Sequence, residues 1–244
     1  MTARFSPPEA AARLRRQVVD SYETPEALAH YGGAVTGGLR VWERAVADRM
    51  FGRGQGVRTV LAVGCGAGRE VFGLEDRGLE VTGVDVAPAM IAAARTEAGR
   101  RGSRAEFHVV DGERLPFGAA AFDAVVIWSQ VLGNVPLAAG RQAFLAEARR
   151  VIRPGGAMSL SAHDAALTRP MLAPERIVRA DDPEPGDLVI QEPREASVRY
   201  FRYFDRDDLT NLCAFAGFAV EALVHTDDLG EAWGNVFVLM ARAI

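Results

Sequence analysis

Val60-Leu61-Ala62-Val63-Gly64-Cys65-Gly66-Ala67-Gly68-Arg69-Glu70 is the stretch that decides the fold. Four apolar residues in a row suit a strand buried on both faces. Gly64, Gly66 and Gly68 break that strand, and Glu70, Val71, Phe72 and Leu74 begin a helix. A strand that dissolves into glycines and restarts as a helix presents bare backbone N–H groups at a positive helix end. It also leaves no side chains to hold a ligand away. This is the outline of a nucleotide or cofactor pocket, although a tight packing turn can carry the same glycines.

The rhythm continues on the C-terminal side. The helix stops at Gly78, strand Glu80–Val84 ends on Asp85, and Pro88 opens a helix through Arg100. Strand Ala105–Val110 ends on Asp111, and strand Phe122–Trp128 follows the Leu115-Pro116-Phe117-Gly118 loop. A helix near 140–152 leads through Pro154-Gly155-Gly156 to strand Ala157–Ala162. Apolar strands alternating with helices predict a doubly wound, mostly parallel α/β sheet covered on both faces. Residues 165–197 break the pattern with Pro170, Pro174, Pro183, Pro185 and Pro193 among charges, and hold only a short strand near Leu188–Gln191. Ser197–Phe204 alternates as a strand, a helix runs from Asp205 to Gly217, and strands Ala219–His225 and Val236–Arg242 form a closing antiparallel pair.

On the N-terminal side, residues 1–55 predict a helical arm. Ser6-Pro7-Pro8-Glu9 and Thr24-Pro25-Glu26 are helix starts, and Leu39, Trp42, Val46 and Met50 mark an amphipathic helix. Gly32-Gly33 and Gly37-Gly38 are joints, so the arm is either a packing arm or a lid over the pocket. The organisation expected is arm 1–55 and core 56–244, with the insertion 165–197 capping the acceptor side.

A chain of 244 residues with 49% apolar content can bury a sizeable core as one decorated α/β domain. Its net charge of −4, with acids and bases interspersed, argues against a nucleic-acid surface. No apolar run approaches the ~18 residues of a membrane span. Cys65 and Cys213 suit neither a disulfide framework nor a metal site, and no apolar block follows the N-terminal arginines. A cytoplasmic protein without metal is expected, either monomer or homodimer.

In an open α/β sheet, ligands bind beyond the carboxyl ends of the strands. Those ends are Gly64-Cys65-Gly66, Asp85, Asp111-Gly112, Trp128-Ser129-Gln130 and His163-Asp164. Asp85 lies about 20 residues beyond the glycine turn, where an acid reaches a ribose diol; a helix cap before Pro88 is the other use of an acid there. The spacing Gly64-x-Gly66-x-Gly68 is more compressed than the G-x-G-x-x-G of nicotinamide cofactors.

Five segments in order carry a resemblance: VLAVGCGAGRE, VTGVDVAPAMIAAAR, FHVVDGERLPF, FDAVVIWSQVLGNVP and RRVIRPGGAM. Over about residues 57–163 the chain resembles the class I S-adenosylmethionine-dependent methyltransferases, most closely the small-molecule, methyltransferase type 11-like branch. The resemblance implies a Rossmann-like seven-stranded sheet with its last strand antiparallel, S-adenosyl-L-methionine as cofactor and a small-molecule acceptor. It places Gly64, Cys65, Gly66 and Gly68 under the methionine part and ribose, and Asp85 on the ribose diol. Val86 and Met90 then wall the adenine, and Asp111, Gly112 and Glu113 meet its edge. Trp128 and Ser129 match the end of the fourth strand, whose backbone holds the methionine amino group in such families. Such families usually carry an acid two residues before the first glycine, where this chain has Ala62; Glu70 and Arg40 are nearby substitutes.

Tyr22, Tyr31, Gln130 and Asn134 are expected to line the acceptor pocket, with Trp128 beside them. An in-line methyl transfer needs a base only when the acceptor must lose a proton, and His163, closing the fifth strand, is the expected candidate, with His30 second. Two other functions compete with methyl transfer. One is a cofactor-binding protein with a regulatory role or a non-methylating reaction. The other is a nicotinamide oxidoreductase, disfavoured by the glycine spacing and Asp111. An RNA methyltransferase would need a basic extension or an Asn-Pro-Pro-Tyr type motif, and neither is present.

Overall fold

In the computed structural model, which describes residues 7–52, 54–180, 184–191 and 198–244, the arm forms α1 (Pro7–Tyr22), α2 (Pro25–Ala34) and α3 (Val41–Phe51). Ser6, Pro183, Pro193 and Ser197 lie outside the described residues. Thr24 caps α2 by accepting the Ala27 N–H at 3.1 Å, with Pro25 preorganised in the first turn. The sequence predicts a joint at Gly32-Gly33, but both glycines are helical within α2, continuing the seven helical residues Pro25–Tyr31 before them. The Gly37-Gly38 joint is real, with Gly38 at φ +60°.

The core then runs β1 (Thr59–Val63), α4 (Arg69–Glu75), β2 (Glu80–Asp85), α5 (Pro88–Arg101), β3 (Glu106–Val109) and β4 (Phe122–Ile127). It continues with α6 (Ala138–Val151) and β5 (Ile152–His163). After α7 (Ala165–Thr168) come β6 (Ile177–Ala180), β7 (Asp187–Gln191) and β8 (Val198–Arg202). The chain closes with α8 (Arg206–Phe215), β9 (Phe218–His225) and β10 (Val236–Ala243).

Seven strands make one sheet in the order β3-β2-β1-β4-β5-β10-β9. β1 pairs in parallel with β2 (Val60 opposite Val81) and with β4 (Val60 opposite Ala124). β10 runs antiparallel to both β5 and β9, as the sequence predicts for the closing pair. Alternation along β1 separates two cores. Val60 and Ala62 join Trp42, Val71 and Met90 on one face, while Leu61 and Val63 join Val125, Leu145 and Met158 on the other. Strand order reverses between β1 and β4, so the pocket belongs at their carboxyl ends.

The insertion is more ordered than its prolines suggest. β6, β7 and β8 form a separate three-stranded antiparallel sheet, with Val189 opposite Tyr200. The alternating strand near 197–204 therefore belongs to this cap sheet rather than to the core. Leu14 and Val18 of α1 pack on Val189 and Tyr200, joining arm and cap over the sheet's carboxyl edge. Below them a buried ionic group ties cap to core. Arg141 of α6 reaches Glu184 at 2.7 Å and the Tyr200 hydroxyl at 3.2 Å, and the fully buried Asp187 accepts from Tyr200 at 2.9 Å.

Candidate cofactor and acceptor site

A cavity of about 300 Å³ opens at the carboxyl ends of β1, β2, β3 and β4, beneath the arm, within the size range of small-molecule sites. The glycine turn forms its floor. Gly64 and Cys65 donate their N–H groups to the Val84 carbonyl at 2.8 and 3.0 Å, clamping the turn to β2. At Gly64, φ is +73° and a Cβ would stand 2.3 Å from a Val131 methyl. Gly66, at φ +50°, differs: a Cβ there would meet nothing within 4 Å, because the space above it is the cavity itself. Gly68 serves packing, since a Cβ would stand 2.8 Å from Phe72, and it does not line the cavity.

Asp85 is buried and holds the turn. One carboxylate oxygen accepts the Gly66 N–H at 2.8 Å and the other the Ala87 N–H at 2.9 Å. Burial pushes its pKa up, and the hydrogen bonds from Ala87 and Gly66 pull it back. Asp85 therefore braces the turn ahead of α5, whose N-cap is Ala87 without a side-chain cap, and it faces the cavity with lone pairs to spare. Val86 and Met90 line the same wall. Asp111 sits at the rim, where one oxygen accepts the Glu113 and Arg114 N–H groups at 2.8 and 2.9 Å, holding its carboxyl below the usual range. Gly112 and Glu113 also line the cavity, and Glu113 pairs with Arg15 of α1 at 2.9 Å across the mouth.

The end of β4 carries the clearest backbone strain. Ser129 and Gln130 are consecutive non-glycine residues in the left-handed region, at φ +53° and +59°, and both line the cavity. Such conformations cost of order 1 kcal/mol each and concentrate at binding sites. The Gln130 N–H is held by the Ser161 hydroxyl at 3.1 Å. The Trp128 side chain turns away from the cavity. Its indole N–H donates to Ser159 at 3.0 Å and its ring packs edge-on to Trp42 at 5.5 Å, so it is a core residue outside the lining.

On the arm side, Tyr22, Tyr31, Gln130 and Asn134 all line the cavity. The Tyr22 hydroxyl accepts from Arg199 at 3.3 Å and from the Asn134 amide at 3.5 Å, and the two tyrosine rings stand 5.5 Å apart. Burial, then the neighbouring Tyr22, pushes the Tyr31 pKa up, so its phenol stays protonated. His163 lies outside the lining. Its ring packs against Phe201 and Tyr203 of the cap at 5.5 Å each, and burial followed by the Arg199 charge lowers its pKa to about 4. The cap sheet, whose place the sequence does not show, covers it. His30 of α2 lines the cavity instead, edge-on to Tyr31 at 5.0 Å.

Glu43 and Arg69 line the cavity without having been expected there, and they meet Glu70, one of the two substitutes for the missing acid. Glu43, wholly buried on α3, takes both guanidinium arms of Arg69 at 2.6 Å, and Glu70 accepts from Arg69 at 2.7 Å and from the Ser129 hydroxyl at 2.5 Å. A signal was present: Arg69 opens α4, where the helix dipole disfavours a cation, so it needs a buried partner.

A family model described as "Methyltransferase domain" matches residues 60–156. Demethylmenaquinone methyltransferase of Beutenbergia cavernae is 36% identical over 117 residues, a match spanning 48% of this chain and 45% of that protein's length. Among solved structures, the PH0226 protein of Pyrococcus horikoshii is 26% identical with a TM-score of 0.66, over 82% of this chain and 89% of its own. A SAM-dependent methyltransferase of Methanosarcina mazei is 25% identical with a TM-score of 0.64, over 76% and 92%. Residues 60–156 thus match a methyltransferase domain, and the seven-stranded order and glycine turn give the chain the fold of the class I S-adenosylmethionine-dependent methyltransferases.

Proposed function

We propose that the protein transfers the methyl group of S-adenosyl-L-methionine to an N, O or C atom of a small-molecule acceptor. The observation that carries this reading is the open space above Gly66, bounded by the Asp85 carboxylate and continuous with the cavity. Backbone there can be approached closely by a ligand, and only glycine leaves the approach clear. The remaining lining fits the group chemically. Asp85 offers acceptors for a ribose diol, Val86 and Met90 an apolar wall, and Asp111 with Gly112 a polar edge for a purine.

The bound cofactor supplies an electrophilic methyl group on a sulfonium. The chain's own residues align the acceptor and exclude water. Arm helices α1 and α2 roof the cavity, and the Arg15–Glu113 pair and the Ala89 N–H bond to Glu23 (2.9 Å) fasten them down. Tyr22, Tyr31 and Asn134 give the acceptor chamber two aromatic faces and a polar end; the buried Asn134 carbonyl oxygen has no partner among the described residues. If the acceptor must lose a proton, His30 is the histidine placed to take it. The lining favours a small acceptor with an apolar body and an N–H or O–H able to meet the Asn134 carbonyl oxygen.

Calorimetric titration with S-adenosylhomocysteine, with NAD as control, tests the cofactor. Saturable binding of the first and none of the second is expected; the reverse would overturn the reading. Incubation with methyl-labelled cofactor and a panel of small N-, O- and C-nucleophiles then tests transfer. Binding without turnover on any acceptor would favour a regulatory or non-methylating role.

A further inference from the structure

Ala62 leaves a gap that is electrostatic as well as steric. It is 3% exposed on β1, beside a void of about 10 Å³ that Trp128, Val126 and Glu70 also border. The same Glu70 lines the main cavity, so its carboxylate stands between the vacated strand position and the ligand space.

The hydrogen bonds around it divide the charge unequally. Both Glu43 oxygens are used: one accepts from Arg69, the other from Arg69 and from the Arg40 N–H at 2.7 Å. Burial pushes the Glu43 carboxyl up, but three donors, two of them from the Arg69 guanidinium, and no acceptor face it, so the geometry is that of an ionised group that neutralises Arg69. Glu70 has one oxygen bonded, to Arg69 and Ser129, while its other oxygen makes no hydrogen bond among the described residues. Within this hydrogen-bonded group two carboxylates against one guanidinium leave a surplus negative charge, and Glu70 is the member with an open acceptor. A buried surplus charge is costly until a partner arrives, so this arrangement selects a cation.

We propose that Glu70, oriented by Arg69 and Ser129, holds the ammonium of the cofactor's amino-acid end, and that the binding charge has moved from the strand position Ala62 to the first turn of α4. This rests on the cofactor assignment above. Arg69 and Glu43 are positioning residues. They fix the Glu70 carboxylate and tie α3 to α4.

The test compares two ligands on the full chain by calorimetry: S-adenosylhomocysteine, and 5′-methylthioadenosine, which lacks the amino-acid end. Glu70→Gln should weaken the first at least tenfold and the second less than threefold. Ala62→Asp in the Glu70→Gln background should restore affinity for S-adenosylhomocysteine alone, whereas Ala62→Asp by itself should gain less than threefold, because the charge is already supplied. An equal loss for both ligands in Glu70→Gln, or no loss, would overturn the proposal, as would a tenfold gain from Ala62→Asp alone. Wild-type protein that binds neither ligand would overturn the cofactor assignment itself, and this proposal with it.

Discussion

Gly66→Ala separates the binding role of the glycine turn from its structural one. A Cβ at Gly66 meets nothing within 4 Å, so no internal clash adds to the cost of holding alanine at φ +50°. That left-handed conformation costs roughly 1–2 kcal/mol. For a domain of this size each kcal/mol lowers the melting temperature by about 2–4 °C, so the variant should melt about 2–8 °C below wild type and remain folded. The new methyl projects into the space the ligand approaches. Overpacking of roughly 1–3 kcal/mol there corresponds to a loss of about 5- to 150-fold in affinity. Calorimetric titration with S-adenosylhomocysteine, paired with thermal melts, reads both quantities. Gly64→Ala is the internal contrast, because its Cβ would strike Val131 at 2.3 Å and the damage falls on stability. A Gly66→Ala protein with the expected melting shift and unchanged affinity would refute the reasoning, since the ligand would then not lie over Gly66.

Other outcomes follow from the same geometry. Asp85→Ala removes the acceptor of two backbone N–H groups and should cost about 2–4 kcal/mol in urea melts while abolishing cofactor binding; a stable variant that still binds would contradict both roles. His163, held near a pKa of about 4 when folded against 6.5 in its ordinary state, refuses a proton that the unfolded chain accepts. Its contribution is therefore complete above pH 6.5 and declines as pH falls towards 4, by up to about 3 kcal/mol. Denaturation at pH 7 and pH 5 should show that the His163→Phe variant loses less stability than wild type over this interval, and equal losses would assign the slope elsewhere. Trp128→Phe should lower stability by about 1 kcal/mol through the lost Ser159 bond and leave S-adenosylhomocysteine affinity within threefold; a tenfold loss of affinity would return Trp128 to the site.

The core sheet was legible because its inner strands are apolar on both faces and each ends in a chemically marked residue. Val60–Val63, Glu80–Asp85 and Phe122–Ile127 could be placed nearly to the residue for that reason. The three glycines could be located but not told apart. Only the neighbours of a missing Cβ distinguish Gly66, facing open space, from Gly64 against Val131 and Gly68 against Phe72. The cap sheet was hidden because β6, β7 and β8 pair with one another, so their pattern answers to α1 and to the buried Asp187–Arg141 group rather than to a shared core. His163 was misjudged on the same ground: Phe201 and Tyr203, which enclose it, arrive from β8 and the residue just beyond it, about forty residues later in the chain. Glu43 was invisible because its partner Arg69 is 26 positions away, although an arginine opening a helix asks for such a partner.

The central claim is that the cavity beneath the arm is a binding site for S-adenosyl-L-methionine. Its most direct test is a calorimetric titration of the wild-type chain with S-adenosylhomocysteine, repeated with NAD. The account predicts saturable binding of S-adenosylhomocysteine, one molecule per chain, and no heat from NAD. No saturable binding of S-adenosylhomocysteine by folded protein would contradict it.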